Sequence, residues 1–494
     1  MNRIPTIGLE VHAELSTARK MFCGCKNDSD ETHPNTNVCP VCLAHPGALP
    51  VPNEEAIKKM IAVGIAVGGT IAHSSQFDRK NYFYPDQPKG YQISQYEHPF
   101  VKGGVIALPS SGKRIRITRV HLEEDTGSLL HDASGATLVD FNRSGIPLME
   151  LVTEPDVSSA EEAAEFATEL QLLLRTIGAS HARMDKGEMR VEANVSVAPE
   201  GAPYGTKVEI KNINSFKSVA RAIAYEITRQ DEELDAGKPI IQSTRGWDEV
   251  KQVTIHQRTK ESAHDYRYFP EPDIPVIRTG EATSLSPAEI GDHLPELPQE
   301  KRARFASEYG VAQTNVELLI RDSALATFFE QSRSELSGWL ETANAGGDAT
   351  ERAVKLHENY VFSDILGIVT EKEIPWGELR MTAENYAELI TMIATDKLSS
   401  RGGKDLLRIL VLEGGDPSEI VEKRGLAQTS DTRLIDAAIM KIAATEASVL
   451  AEWKGGKDKA LQFLVGQTMR AVKEKGSSAN PSLVRERWKA LHSS

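Results

Sequence analysis

Residues 7–15 alternate strictly. Ile7, Leu9, Val11, Ala13 and Leu15 fall on one side of an extended chain, and Glu10, His12 and Glu14 on the other. Strand side chains repeat every two residues, so this segment demands one buried face and one polar face. The pattern returns at Val191, Ala193, Val195 and Val197, which back Arg190, Glu192, Asn194 and Ser196. It returns again at Val208 and Ile210, which back Lys207, Glu209 and Lys211. One half-buried strand shows polar residues to water as a matter of course. Three strands that each carry a mid-strand carboxylate predict one sheet with a charged working surface, suited to a divalent cation and phosphates.

A chain of 494 residues suggests about three domains. The net charge of −14 argues against a protein that coats nucleic acid nonspecifically. The charge is uneven: from Ala451 onward there are nine Lys/Arg against four Asp/Glu. That basic excess permits an RNA contact, and it also fits an ordinary solvated helical surface. No run of about 18 apolar residues occurs, so no membrane helix is expected. Met1–Pro5 leads directly into the first strand without a signal pattern, and a cytoplasmic location is expected.

All four cysteines, Cys23, Cys25, Cys39 and Cys42, fall within twenty residues as C-x-C and C-x-x-C pairs. In a cytosolic chain this spacing predicts a structural zinc knot of four thiolates rather than disulfides. Four reduced thiols, or a redox pair at Cys39 and Cys42, are the alternatives. His33 and His45 can each replace a ligand. A zinc ion with four cysteine ligands has no open position for catalysis.

Residues 1–293 are dense in short strands, with three helices predicted. Asn53 caps a helix running to Gly68. Ser158 and Glu161 form a capping-box pattern before a second helix, and a third runs from Ser215 to Leu234. The fold class is α+β. A Pro- and Glu-rich stretch, Leu294–Gln299, marks a boundary. A helical domain is expected over 294–400 and a small helical tail over 401–494, with a break at Ser399–Gly403. Between the strands lie loops rich in phosphate-type donors. Arg79, Lys80, Tyr82 and Tyr84 lie in the segment Phe77–Gln95, where cations can hold phosphates and tyrosines can stack on a base. His121–Asp125 adds three consecutive acids. No Walker loop, nucleophile elbow or dinucleotide fingerprint occurs. Glu10, His12, Glu124, Glu192 and Glu209 are the predicted magnesium cage, with the choice among Glu123, Glu124 and Asp125 open. Lys80 and Lys211 are the predicted phosphate contacts. Histidine is unusual around magnesium, so His12 acts through a water or the site accepts manganese.

The stretch Ile7-Gly8-Leu9-Glu10-Val11-His12 resembles the opening of the B subunit of the glutamyl/aspartyl-tRNA(Gln/Asn) amidotransferases, in the B/E family. So do Phe77–Asp86, His121–Asp125, Lys207–Phe216 and Asp265–Asp273, while Lys397–Lys404 and Phe463–Pro481 look like the two signatures of its tail. The resemblance implies a cradle-like catalytic domain similar to the glutamine synthetase and guanido kinase fold, then a helical domain and a tRNA-binding tail. It implies a glutamine-dependent carbon–nitrogen ligase. ATP phosphorylates the side-chain carboxylate of mischarged Glu-tRNA(Gln) or Asp-tRNA(Asn), and ammonia displaces the phosphate. The ammonia comes from an amidase-type glutaminase, the A subunit, and a small C subunit completes a heterotrimer. Residues matching Glu10, His12 and the acids of His121–Asp125 belong to the metal and ATP site, and the cysteine quartet matches zinc-bearing members. A non-catalytic tRNA-binding scaffold and a free-standing ligase acting on a small acid are the alternatives.

Overall fold

In the computed structural model, residues 3–132, 134–259, 263–280, 283–429, 432–474 and 478–492 are described. The chain divides into two compact units, Met1–Glu300 and Lys301–Ser494. The first unit is built on a ten-stranded sheet. Its principal strands are β1 (Arg3–Glu14), β4 (Arg114–Glu124), β5 (Pro147–Thr153), β6 (Met189–Pro199), β7 (Val208–Ile213), β8 (Ser243–Asp248) and β9 (Val253–Thr259). Two further strands, β2 (Asp78–Asn81) and β3 (Tyr91–Ser94), belong to a smaller three-stranded sheet. The order of the large sheet is β9-β8-β7-β6-β1-β5-β4, continued by two-residue strands at Val101–Lys102 and Thr70–Ile71. The β7–β8 pair is parallel, whereas β1 is antiparallel to both of its neighbours.

The alternation read from the sequence sets which face is covered. Ile7, Leu9, Val11 and Ala13 of β1 and Val191, Ala193 and Val195 of β6 are fully buried. They share a core with Met60 and Ile61 of α1 (Glu54–Ala66), Phe166, Leu170 and Leu174 of α2 (Ala160–Thr176), and Val219 and Ile223 of α3 (Phe216–Asp235). The other face carries the polar set. Asn53 caps α1 by accepting from the amides of Glu55 and Ala56, and Ser215 caps α3. At α2 the cap sits one residue later than the sequence pattern suggests. Ser159 accepts from the amide of Glu162, whose carboxylate accepts in turn from Ser158. The Ser-Ser-Ala-Glu-Glu run contains two overlapping boxes, and burial of Ala160 selects the second.

The second unit is helical. The expected break at Ser399–Gly403 is instead the first turn of a helix, Ser400–Leu412, capped by Ser399. Its glycines serve close packing rather than flexibility: a Cβ on Gly403 would lie 2.5 Å from Ile393 Cδ1. Farther along, Ile435, Ile439, Leu464, Val484 and Trp488 form a core of their own. In the helical unit His357 is fully buried. Its Nε2 lies 2.8 Å from Ser332 Oγ, and its backbone carbonyl accepts from the Tyr386 hydroxyl at 2.7 Å. Burial, with Arg333 nearby, lowers its pKa to about 3. A depressed histidine pKa stabilises the fold above the unfolded value of about 6.5 and withdraws that support as pH falls toward about 3. We expect the unfolding free energy, from urea titrations followed by tryptophan fluorescence, to fall between pH 7 and pH 5.5 with a slope approaching about 1.4 kcal/mol per pH unit. His357→Gln should flatten that slope; an unchanged slope would show that His357 does not titrate in this transition.

Candidate active site

Directly opposite residues on neighbouring strands share a face. On β1, His12 stands opposite Arg190 of β6 and Glu150 of β5, and Glu150 stands opposite His121 of β4. One row of side chains thus crosses four strands. The adjacent row sets Glu10 opposite Glu192, and on the far side of β6 Glu209 pairs with Asn194. Glu123 lies on β4 two residues from His121, so it belongs to this face, whereas Glu124 belongs to the other. Over the polar face lies the three-stranded sheet of β2, β3 and Phe269–Pro270. Together they enclose a cavity of about 350 Å³.

The side chains converge. His12 Nε2 is 3.3 Å from Glu150 Oε2, 3.5 Å from Glu123 Oε1 and 3.9 Å from Glu10 Oε1. His121 Nε2 lies 3.6 Å from Glu150 Oε2 and 3.8 Å from Glu123 Oε2. Three sets have ligand atoms within 4.8 Å of one another: Glu10–His12–Glu150, His121–Glu123–Glu150 and Glu10–Glu192–Glu209. Lys211 donates to Glu192 at 2.6 Å, and Glu209 accepts from Thr244 Oγ1 at 2.7 Å. At one end Arg190 donates to Asp125 at 2.6 Å. Tyr82, Tyr266 and Tyr268 line the cavity beside the Lys80 ammonium, which lies 5.2 Å from the centre of the Tyr266 ring.

Crowding and burial set the protonation. Burial, reinforced by Glu150, raises Glu10 to about 7. For His12 burial opposes charge, but the hydrogen bond and charge of Glu150, with Glu123 and Glu10, raise it to about 9. Burial also opposes the Glu150 anion, yet His121 and His12 hold it well below the usual carboxylate range. Lys80 is held protonated against its burial, chiefly by Glu123. Asp125 is brought down to about 2 because Arg190 and Arg143 outweigh its desolvation.

The structure brings together Glu10, His12, Glu192, Glu209, Lys80, Tyr82 and Lys211. It does not bring in Glu124, Arg79 or Tyr84. Glu124 points to the opposite face, where it binds Lys89 and the amide of Ile93 and lines a second cavity beside Cys23 and Cys42. Arg79 alternates with Lys80 and faces away from the site. It pairs with Glu271 at 2.7 Å and covers the Tyr91 ring at 4.3 Å. Tyr84 sits in the loop after β2 and is largely exposed. The sequence reading passes over Glu150 and Arg119; it marks the segments that hold His121, Tyr266 and Tyr268 without placing those residues in the site, and of the three acids left open it is Glu123 and Asp125, not Glu124, that line the cavity. Glu150 has a signal: it is the one charged residue inside the strand Pro147–Thr153. The four cysteine sulfurs also lie within 4.8 Å of one another, with Cys42 Sγ 3.9 Å from Cys39 Sγ.

These features define an α+β protein whose polar sheet face gathers carboxylates and imidazoles in a cavity. Comparison with known proteins is more specific. The GatB/GatE catalytic domain matches residues 5–284, and the GatB domain matches residues 341–491. A protein of Roseiflexus sp. named as the B subunit of aspartyl/glutamyl-tRNA(Asn/Gln) amidotransferase is 43% identical, covering 98% of this chain and 97% of its own. Relatives of the same name in Rippkaea orientalis and Caldicellulosiruptor saccharolyticus are 41% and 42% identical. Each covers 97% of this chain, and 96% and 97% of the respective relative is matched. The chain belongs to the GatB/GatE family.

Raised pKa values leave protons on Glu10 and His12 near neutrality, and a cation held by these residues would have to displace them. We therefore expect manganese affinity to rise between about pH 6 and pH 9, by at most about ten-fold per pH unit for each proton released. Calorimetry in buffers of different ionisation enthalpy reads the proton release. Affinity independent of pH, with no release, would contradict this assignment.

Proposed function

We propose that this chain is the amidating component of a tRNA-dependent amidotransferase: it uses ATP to phosphorylate the side-chain carboxylate of Glu-tRNA(Gln) or Asp-tRNA(Asn), and ammonia then replaces the phosphate. The observation that carries this reading is the face on which Glu10, His12, Glu123 and Glu150 meet in one cavity, in a chain of the GatB/GatE family. A carboxylate oxygen is a poor leaving group. Transfer of a phosphoryl group from ATP, with loss of ADP, makes it a good one, and this demands positioning and charge neutralisation more than covalent chemistry by the protein.

A divalent cation supplies that neutralisation when bound. The donor set fits one. Glu10, Glu192 and Glu209 offer oxygen alone, which suits magnesium, whereas His12 and His121 beside Glu123 and Glu150 add imidazoles, which suit manganese. Lys80 and Lys211 sit where fixed ammonium groups can bind phosphate oxygens. Tyr82, Tyr266 and Tyr268 exclude water from one side of the cavity. We read the sheet, with helices packed on its apolar face and polar residues on the other, as the cradle that the family resemblance implies. The scaffold alternative accounts poorly for so many acids buried together, since their desolvation has no purpose in a purely structural face.

The same reading gives the rest of the chain its roles. Ammonia comes from a glutaminase partner, the amidase-type A subunit, a small C subunit completes the complex, and the whole works in the cytoplasm. The helical segment over 294–400 links the catalytic domain to the tail over 401–494, and the tail engages the tRNA through its basic excess. The cysteine quartet holds structural zinc. Burial and the Cys23 thiol shape its acidity: hydrogen bonding from Cys23 draws Cys42 down to about 5, with Lys20 assisting.

Three outcomes test this. With ammonia supplied directly, Glu10→Gln and His12→Ala should lose at least about 10³-fold in amidation of charged tRNA while retaining tRNA affinity; normal amidation by both would place the chemistry elsewhere. Glu150→Gln should weaken manganese binding by about 10–100-fold and Glu124→Gln should not; equal effects would undo the distinction between the two faces. Removal of residues 432–494, which hold the last core, should impair tRNA-dependent turnover more than ATP binding; equal losses would remove the tail from tRNA recognition.

A further inference from the structure

Lys20 has no exposed surface at all. Among the described residues its ammonium reaches two acceptors: the backbone carbonyl of Phe141 at 3.2 Å and the sulfur of Cys42 at 3.9 Å. No carboxylate oxygen of those residues lies within 4.0 Å of Nζ. Buried ammonium groups are otherwise paired with an anion, because burial removes their hydration without replacing it. Lys80 differs on both counts: it is partly exposed, and Glu123 and Glu150 lie near enough to favour its charge. Near Lys20, the carboxylate of Glu124 is taken by Lys89 at 2.8 Å, which leaves the sulfur cluster as the anion for Lys20.

The surroundings hold the ammonium there. The Lys20 amide donates to the Cys25 carbonyl at 3.0 Å, and its own carbonyl accepts from Asn53 Nδ2 at 3.2 Å. The next residue, Met21, donates to Gly145 O at 2.7 Å. Gly145 has φ +86°, and a Cβ there would lie 3.5 Å from Cys42 Cβ and 3.6 Å from Lys20 Cδ. The chain therefore closes over Lys20 and Cys42 at a position whose backbone angle favours glycine.

We propose that Lys20 is the resident counter-ion of the four-cysteine centre, its ammonium donating to Cys42 Sγ and offsetting part of the negative charge on the metal–thiolate cluster. The proposal rests on the zinc reading above and deepens it. Zinc bound by four thiolates carries a formal charge of about −2. A cation fixed against one sulfur lowers the cost of burying that charge and makes the thiolate a poorer target for protons and electrophiles. Lys20 also ties the cluster to the segment between β4 and β5, through Phe141 O. Lys20 is thus a positioning residue for the metal centre and takes no part in the amidation chemistry.

The test compares the full chain with Lys20→Met, which keeps the stem and removes the charge, and with Lys20→Arg, which keeps a cation. Zinc release to an excess of chromophoric chelator should be about ten-fold faster for Lys20→Met and within about three-fold of the native rate for Lys20→Arg. Thermal midpoints with zinc and after stripping under reducing conditions complete a cycle. Lys20→Met should lower the midpoint of the zinc-bound chain and leave that of the stripped chain equal or higher, since the stripped cluster no longer neutralises a buried ammonium. Equal losses in both states would mean that Lys20 only fills space, and would overturn the proposal. Should the methionine variant fail to fold, Lys20→Gln carries the same comparison. Native protein purified without chelator and lacking zinc would refute the metal reading itself. Stoichiometric zinc released from Lys20→Met at the native rate would refute the counter-ion role alone.

Discussion

The antiparallel register of β1 between β5 and β6 is the constraint on which the site depends. It sets Glu150, His12 and Arg190 in one row and Glu10 and Glu192 in the next. Because the side-chain period is two, a slip of one residue would carry Glu10 and His12 into the core and expose Leu9 and Val11. The buried valines and leucines on the reverse face exclude that slip by the apolar surface it would expose. Each fully buried aliphatic side chain contributes about 1.5–3 kcal/mol, and β1 alone buries several. The geometry of the polar face is thus held by the energetics of the apolar one.

That face opposes its own formation. Glu10, Glu123, Glu150 and Glu192 crowd two imidazoles in a partly enclosed cavity, where charge is costly to desolvate. The chain relieves this cost by taking up protons, as the raised values of Glu10 and His12 record, and by fixing Lys80 and Lys211 beside the acids. A cation can do the same work with more charge in less volume. On the proposed reading, a bound cation would also keep these carboxylates from repelling the phosphates of a nucleotide. Arg79 shows the contrast: its carboxylates, Glu271 and Asp273, are matched by a guanidinium, and this pair holds the small sheet together.

How much of this was legible in the sequence follows from periodicity. Where a strand alternates cleanly, as at Ile7–Leu15 and Val191–Val197, both the buried set and the polar set are read directly from it. Where the polar run is unbroken, as at Glu123-Glu124-Asp125, the acids alone give two answers, and the strand leading into them separates these: Glu123 follows His121, and Glu124 follows Leu122 of the core. Glu150 escapes notice because the residues flanking it are all apolar and buried. A strand inside a sheet, covered by a second layer, reads as a continuous apolar run with one exception. Tyr266 and Tyr268 reach the site only through the pairing of Phe269–Pro270 with β2, a contact across nearly two hundred residues that no local pattern announces. Ser399–Gly403 misleads for the opposite reason: two glycines that look like a hinge are there to admit neighbours, Leu398 against Gly402 and Ile393 with Tyr360 against Gly403.

The two faces at the end of β4 divide one run of acids between different tasks. Glu123 turns toward the imidazoles, and Glu124 turns toward Lys89 and the cysteine loop. Neither can move independently, because they are adjacent in a strand whose amides and carbonyls are committed to β5. Gly145, which closes over the cysteine loop, lies two residues before β5, and its amide donates to the Asp125 carbonyl at the end of β4. Only a few covalent bonds and one hydrogen-bonded turn therefore separate the cysteine loop from the face that carries the imidazoles. The separation of Glu123 from Glu150 is set by the β4–β5 register itself, which pairs Glu150 with His121 and Leu148 with Glu123.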